Sequence, residues 1–160
     1  NIQQARAHLA LATAYAELGN IDKAIVINEE VLSTNPEAIA ALNNLAFLYL
    51  KTNDKRAHGY AEKAYRLAPN SYAILDTYGW VLTELGKPEA GLPFLRNALA
   101  RSANIPEIQY HYSVALHRSG RSQAALRELK KLLATGVGFS EREAAQSLLQ
   151  KLSTASSAKG

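Results

Sequence analysis

Four histidines, His8, His58, His111 and His117, are the side chains best suited to metal or proton chemistry near neutral pH. No two of them stand four residues apart, and no glutamate sits between candidates as in a zinc hydrolase helix. His8 falls at a packing position and reads as a core-edge residue rather than a ligand. There is no cysteine, which excludes disulfides, thiolate metal sites and cysteine nucleophiles. Adjacent carboxylates such as Glu29 and Glu30 read as a solvated helix face. The glycines stand singly at helix ends or inside helices, so no loop is built to cradle phosphate. No spacing suggests a Ser/His/Asp set. The chain is therefore expected to be non-catalytic and to hold neither a metal nor a cofactor.

What remains is the arrangement of the elements. Tyr72–Lys87 carries apolar or aromatic residues at Tyr72, Leu75, Tyr78, Leu82 and Leu85, with Gly79 inside that face. Steps of three and four predict one amphipathic helix. Similar stretches recur along the chain, each closed by a residue that tolerates the left-handed conformation of a helix end: Gly19, Asn53, Gly86 and Gly120. Their separations are 34, 33 and 34 residues. A second helix follows each, with a small residue early in it (Ala24, Ala57, Gly91, Ala125) and a small or apolar one seven further on (Val31, Ala64, Ala98, Leu132). Two helices are expected to meet closely at those positions. Pro36 and Pro69 stop the first two pairs, and Pro106 is placed to open a helix. Pro93 falls inside a second helix, where a bend is expected, with Gly91 loosening the same turn.

At 160 residues and 48% hydrophobic content, the chain can bury the core of one domain or one short array of repeats. A net charge of +4, with no run of five basic residues, argues against a nucleic-acid surface. No apolar run approaches a membrane span. A start at Asn1 and the absence of methionine point to an excised piece of a longer protein.

The periodic residues resemble the tetratricopeptide repeat, a helix-turn-helix of 34 residues. The first repeat offers Leu11, Ala12, Tyr15, Gly19, Ala24 and Pro36; the second Leu42, Leu45, Ala46, Tyr49, Ala57 and Pro69; the third Leu75, Tyr78, Gly79, Leu82, Gly86 and Ala98; the fourth Tyr112, Ser113, Leu116, Gly120 and Ala125. The resemblance implies an all-α, right-handed solenoid of four repeats, at about 5–38, 39–71, 72–105 and 106–139. A capping helix is expected over 140–152, opened by a capping box of Ser140 and Glu143 and presenting Ala144, Leu148, Leu149 and Leu152. Residues 1–152 would form one array, and 153–160 a disordered tail.

In that family the first helices of successive repeats line a concave groove. Transferring its recognition positions gives Asn43, Asn44, Phe47 and Lys51, then Asp76, Thr77, Trp80, Thr83 and Glu84, then Tyr110, His111, Val114 and His117. Phe47, Trp80 and Tyr110 serve there either as anchors for a peptide or as packing between first helices. The Lys/Asn clamp by which some members hold a C-terminal carboxylate is missing, because Leu9 and Thr13 occupy its places. The expected partner is a protein or peptide, with no nucleic acid, no membrane contact by this fragment and a homo-oligomer left open. The fourth repeat is the basic one, with Arg118, Arg121, Arg127, Lys130 and Lys131 against Glu107 and Glu128. Favourable placement of cations at a helix C-terminus and contact with an acidic partner are both consistent with it.

Leu42-Asn-Asn-Leu-Ala-Phe-Leu-Tyr49, Tyr60-Ala-Glu-Lys-Ala-Tyr-Arg-Leu-Ala-Pro69 and Leu75-Asp-Thr-Tyr-Gly-Trp80 are similar to the C-terminal repeats of bacterial PEP-CTERM and exopolysaccharide-system tetratricopeptide lipoproteins. That likeness implies a scaffold in an envelope assembly for export or sorting, periplasmic or associated with the outer membrane, with the cytoplasm as the alternative. The alternative functions are the targeting arm of a larger enzyme such as a glycosyltransferase, and a self-associating spacer.

Overall fold

The computed structural model describes residues 2–102 and 104–157. Among them the chain forms nine helices and no strand: α1 (Ile2–Glu17), α2 (Ile21–Thr34), α3 (Ile39–Lys51), α4 (Arg56–Leu67), α5 (Tyr72–Glu84), α6 (Pro88–Arg101), α7 (Pro106–Arg118), α8 (Ser122–Ala134) and α9 (Arg142–Ser157). The first eight pair into four hairpins. Each hairpin turns on the residue expected to do so, with φ of 80° at Gly19, 55° at Asn53, 77° at Gly86 and 79° at Gly120. The following amide reaches back to the same carbonyl in every case: Asn20 N–H to Tyr15 O at 2.8 Å, Asp54 to Tyr49 at 2.8 Å, Lys87 to Leu82 at 2.9 Å and Arg121 to Leu116 at 2.8 Å. This is the Schellman closure, which satisfies carbonyls the helix leaves unpaired.

Within each hairpin the small positions do bring the helices together, since Ala24, Ala57 and Ala125 are fully buried, as is Gly91. Val31, Ala64, Ala98 and Leu132 lie beside them at 2% exposure or less. Gly79 and Gly91 mark the tightest crossing: a Cβ on Gly91 would lie 2.4 Å from the Gly79 carbonyl oxygen. Gly91 thus acts as a contact residue and not as a loosened turn. Pro93 sits on the exposed side of α6, and the helix runs through it from Pro88 to Arg101.

Odd-numbered helices contact one another across hairpins, α1 with α3, α3 with α5 and α5 with α7, while each even helix packs on its two sequence neighbours. Helices α1, α3, α5 and α7 therefore form the inner layer of a solenoid. The core runs along the array as connected clusters, from Leu42 and Leu45 through Leu75 and Leu95 to Leu129.

The last helix differs from expectation at both ends. It begins at Arg142, and the Ser140 hydroxyl donates to the Glu141 carboxylate at 2.6 Å in place of a capping box with Glu143. It continues to Ser157, so 153–157 are helical and not tail, while 158–160 lie outside the described residues. Its packing residues are Ala145 and Leu152, both buried, with Leu148 and Leu149 partly so; Ala144 is exposed.

Candidate functional site

On the inner layer, three hairpins contribute to one connected patch. His111, on α7, is 2% exposed, and its Nδ1 lies 2.9 and 3.1 Å from the two carboxylate oxygens of Asp76 on α5. A carboxylate can only accept, so Nδ1 donates and carries the ring proton. The Trp80 ring lies flat on the imidazole, with centroids 4.2 Å apart and planes at 15°. Tyr110 and Phe47 flank this stack, each 6.3 Å away, Tyr110 from Trp80 and Phe47 from His111. Arg118 borders it: its guanidinium pairs with Glu84 at 2.8 Å, donates to the Thr83 carbonyl at 3.2 Å and sits 5.9 Å from the Trp80 ring centre. Burial first, then the nearby Glu141 and Glu84 carboxylates, push the Tyr110 hydroxyl above its ordinary pKa, so it stays protonated.

This geometry locks the indole from behind. Trp80, Tyr110 and Phe47 are each only partly buried, while the pair that orients them is almost dry. The aromatics therefore both pack between first helices and present surface.

Toward the N-terminal end, a second feature lies between α1, α2 and α3. A cavity of about 170 Å³ is lined by Thr13, Asn28, Asn44, Phe47 and Lys51 among others. Asn44 Nδ2 donates to Asn28 Oδ1 at 3.1 Å, and Asn28 Nδ2 to the Ala24 carbonyl at 2.7 Å. Asn28 is the residue that repeat positions overlook, being on a second helix. Its signal is a polar residue in the buried row Ala24, Asn28, Val31. Asn43 Oδ1 is buried with no hydrogen-bond partner.

Six of the expected groove residues are not free at the surface of the groove. Thr83 is fully buried at the α5–α6 crossing, with its hydroxyl donating to the Gly79 carbonyl at 2.8 Å. Thr77 and Val114 are 2% and 6% exposed and belong to the core. His117 turns toward α8, with Nδ1 3.0 Å from Ser122 Oγ. Asp76 and His111 are spent on each other. Asn44, Phe47, Lys51, Trp80, Glu84 and Tyr110 keep accessible surface, and Asn43 keeps part of its own. Among the described residues no cluster of His, Asp and Glu could hold a metal ion, and no helix is long and apolar enough to cross a membrane.

Residues 5–37 match the family model of the tetratricopeptide repeat. A stretch of 92 residues, 57% of the chain, is 35% identical to cellulose synthase operon protein C of Pseudomonas fluorescens; the chain spans 7% of that relative's length. Among solved structures, the O-GlcNAc transferase of Thermobaculum terrenum superposes with a TM-score of 0.78 at 22% identity, over 84% of this chain and 26% of that one. YrrB, described as a TPR protein with an unusual peptide-binding site, superposes with a TM-score of 0.63 at 22% identity, over 78% of this chain and 65% of its own.

Proposed function

We propose that the chain is an array of tetratricopeptide repeats and that it is a non-catalytic scaffold whose inner face holds an extended peptide or a partner's segment. The observation that carries this reading is the Trp80 platform. A buried carboxylate and imidazole cost more desolvation than an apolar pair of the same shape would. They are understandable if the product is a partly exposed indole held in one orientation. A large aromatic fixed before binding loses little freedom on contact, which is the property of an interface anchor. Asn44 and Lys51, one hairpin away, supply polar contacts to the same occupant. The peptide-binding site named for YrrB supports the same use of this fold.

Panning a displayed library of random peptides on the chain, then measuring enriched peptides by fluorescence anisotropy, tests this reading. Phe47→Ala and Trp80→Ala should each weaken capture about thirtyfold, the scale of an interface hot spot. Arg66→Ala, on the second helix α4, should leave it unchanged. Equal binding by all three variants would remove the groove from the proposal.

The likeness to cellulose synthase operon protein C, together with the PEP-CTERM phrases, supports placing the parent protein in a bacterial envelope assembly for export or polysaccharide secretion. The superposition on the O-GlcNAc transferase keeps a second reading in play, the array as the substrate-targeting arm of a larger enzyme. A catalytic domain in the parent sequence would select it. A self-associating spacer would instead give a dimer by light scattering and enrich no peptide.

A further inference from the structure

A second cavity lies apart from the aromatic platform and shares no residue with it. It is an open cleft of about 750 Å³ bordered by the α7–α8 turn, the first turns of α8 and the end of α9. Its floor is apolar, with Leu126, Leu152, Ala124 and Ala155. Its charged lining is of one sign: Arg121, Arg127 and Lys151, with His117 beside them and no carboxylate. Arg121 is tied at 3.1 Å to Glu89, outside the cavity. The charged side-chain ends of Arg127 and Lys151 have no ion pair and no hydrogen bond among the described residues. Both are exposed. Helix α8 begins here without a side-chain cap, adding the positive end of its dipole to the same side.

Two observations limit the occupant. Charges of one sign around a low-dielectric floor attract the opposite sign more strongly than the same charges on an open surface. The lining contains no tryptophan, tyrosine or phenylalanine on which a base could stack, and its one imidazole, His117, is held 3.0 Å from Ser122 Oγ, so a nucleic acid would rely mainly on phosphate contacts. We propose that this cavity is a docking site for an acidic, partly apolar polypeptide segment of a partner. Its carboxylates would pair with Arg127 and Lys151 while its apolar side chains cover Leu126 and Leu152. The site is independent of the inner groove, so the array would hold two segments on separate surfaces.

Fluorescence anisotropy on the full chain tests this with a short peptide of alternating glutamate and leucine. Controls are its lysine–leucine counterpart, a glutamate-only peptide, inorganic phosphate and a single-stranded oligonucleotide. The glutamate–leucine peptide should bind, more weakly as salt shortens the Debye length below about 8 Å. Arg127→Glu with Lys151→Glu should weaken it tenfold or more, while Trp80→Ala leaves it unchanged. Circular dichroism of the double variant should match the wild type, because both side chains are exposed. The assignment is overturned if the wild type fails to bind, if the double variant binds equally, or if the lysine–leucine peptide binds as well. It is also overturned if phosphate, the glutamate-only peptide or the oligonucleotide competes as effectively, since each would reduce the site to a simple anion attractor.

Discussion

At the scale of single residues, the contact that decides most is between two glycines. The backbones of α5 and α6 touch where Gly79 faces Gly91, and the Thr83 hydroxyl fills the remaining space by donating to the Gly79 carbonyl. A methyl on Gly91 would meet the Gly79 carbonyl oxygen at 2.4 Å and Thr83 Oγ1 at 2.7 Å. The oxygen is backbone and cannot rotate aside, so the helices must separate. Gly91→Ala should cost about 3 kcal/mol, the upper range for overpacking. A methyl on Gly79 would meet Leu95 Cγ at 2.7 Å and the Gly91 carbonyl oxygen at 2.9 Å, a nearly equal burden. Gly59, inside α4, has nothing within 4 Å of its added Cβ. Gly59→Ala should instead stabilise by about 0.5–1 kcal/mol through helix propensity. Thermal melts followed by circular dichroism should therefore rank Gly59→Ala above wild type and both crossing variants below it. A Gly91→Ala protein melting with the wild type would show that the two backbones do not touch. Small residues were legible in the sequence as contact positions. Their consequence for Thr83 was not, because a repeat position describes an average hairpin, and this hairpin is closer than average.

At the scale of elements, α2, α3 and α4 are joined by one polar group set into an otherwise apolar contact. The Tyr49 hydroxyl donates to the Glu29 carboxylate, and Tyr60 stacks on the ring at 5.5 Å. Arg56 lies 4.0 Å above that ring and is held at 2.8 Å by Asp54. Burial, then the bond to Glu29, raises the Tyr49 pKa well above its ordinary value of 10.0. The folded state therefore favours the protonated phenol more than the unfolded state does. Its contribution to stability is fully present below about pH 10 and is lost as pH rises from there toward the folded pKa. Urea midpoints should fall as pH rises from about pH 10 to pH 11, and those of Tyr49→Phe should fall less steeply. Some slope will remain, because Tyr78 and Tyr110 are raised in the same direction by burial. An unchanged slope in the variant would mean that Tyr49 is not the titrating group. At neutral pH the same variant should lose about 1 kcal/mol, near the low end for a bond to a charged acceptor, because the Glu29 side chain is 43% exposed. The left-handed turns that space these helices could be read directly from Gly19, Asn53, Gly86 and Gly120. The Tyr49–Glu29 bond could not, since it joins side chains twenty residues apart on helices whose mutual rotation only packing defines.

At the scale of the whole molecule, the four hairpins have the same turn chemistry but unequal burial. Among the described residues of helix α1 Ala12 alone is in the buried core, and the helix and its turn leave Leu11 and Leu18 at 47% and 76% exposure. Helices α5 and α6 bury Leu75, Val81, Leu95 and Ala98 at 1% or less, and are covered on both sides by neighbours. At the other end, α9 places Ala145 and Leu152 over Leu126 and Leu129. The groove pattern follows the same inequality: Thr77, Thr83 and Val114 on the central α5 and α7 were swallowed into the core and Asp76 and His111 paired across the layer, whereas all four expected positions on α3, Asn43, Asn44, Phe47 and Lys51, kept some surface. In a solenoid, stability is close to a sum of repeat and neighbour terms, so unequal interfaces mean unequal opening. Hydrogen exchange should therefore proceed as a gradient, with the α1 amides exchanging first and those of α5 and α6 last. A chain ended at Gly138 loses the cover that α9 provides and should melt several degrees lower, since each buried leucine is worth about 1.5–3 kcal/mol. In that shortened chain the α7 and α8 amides should lose protection most, while α5 and α6 keep theirs. Uniform protection across all four hairpins, or a shortened chain that loses protection equally throughout, would mean that the array opens as a single cooperative unit and that the inequality of burial carries no energetic weight.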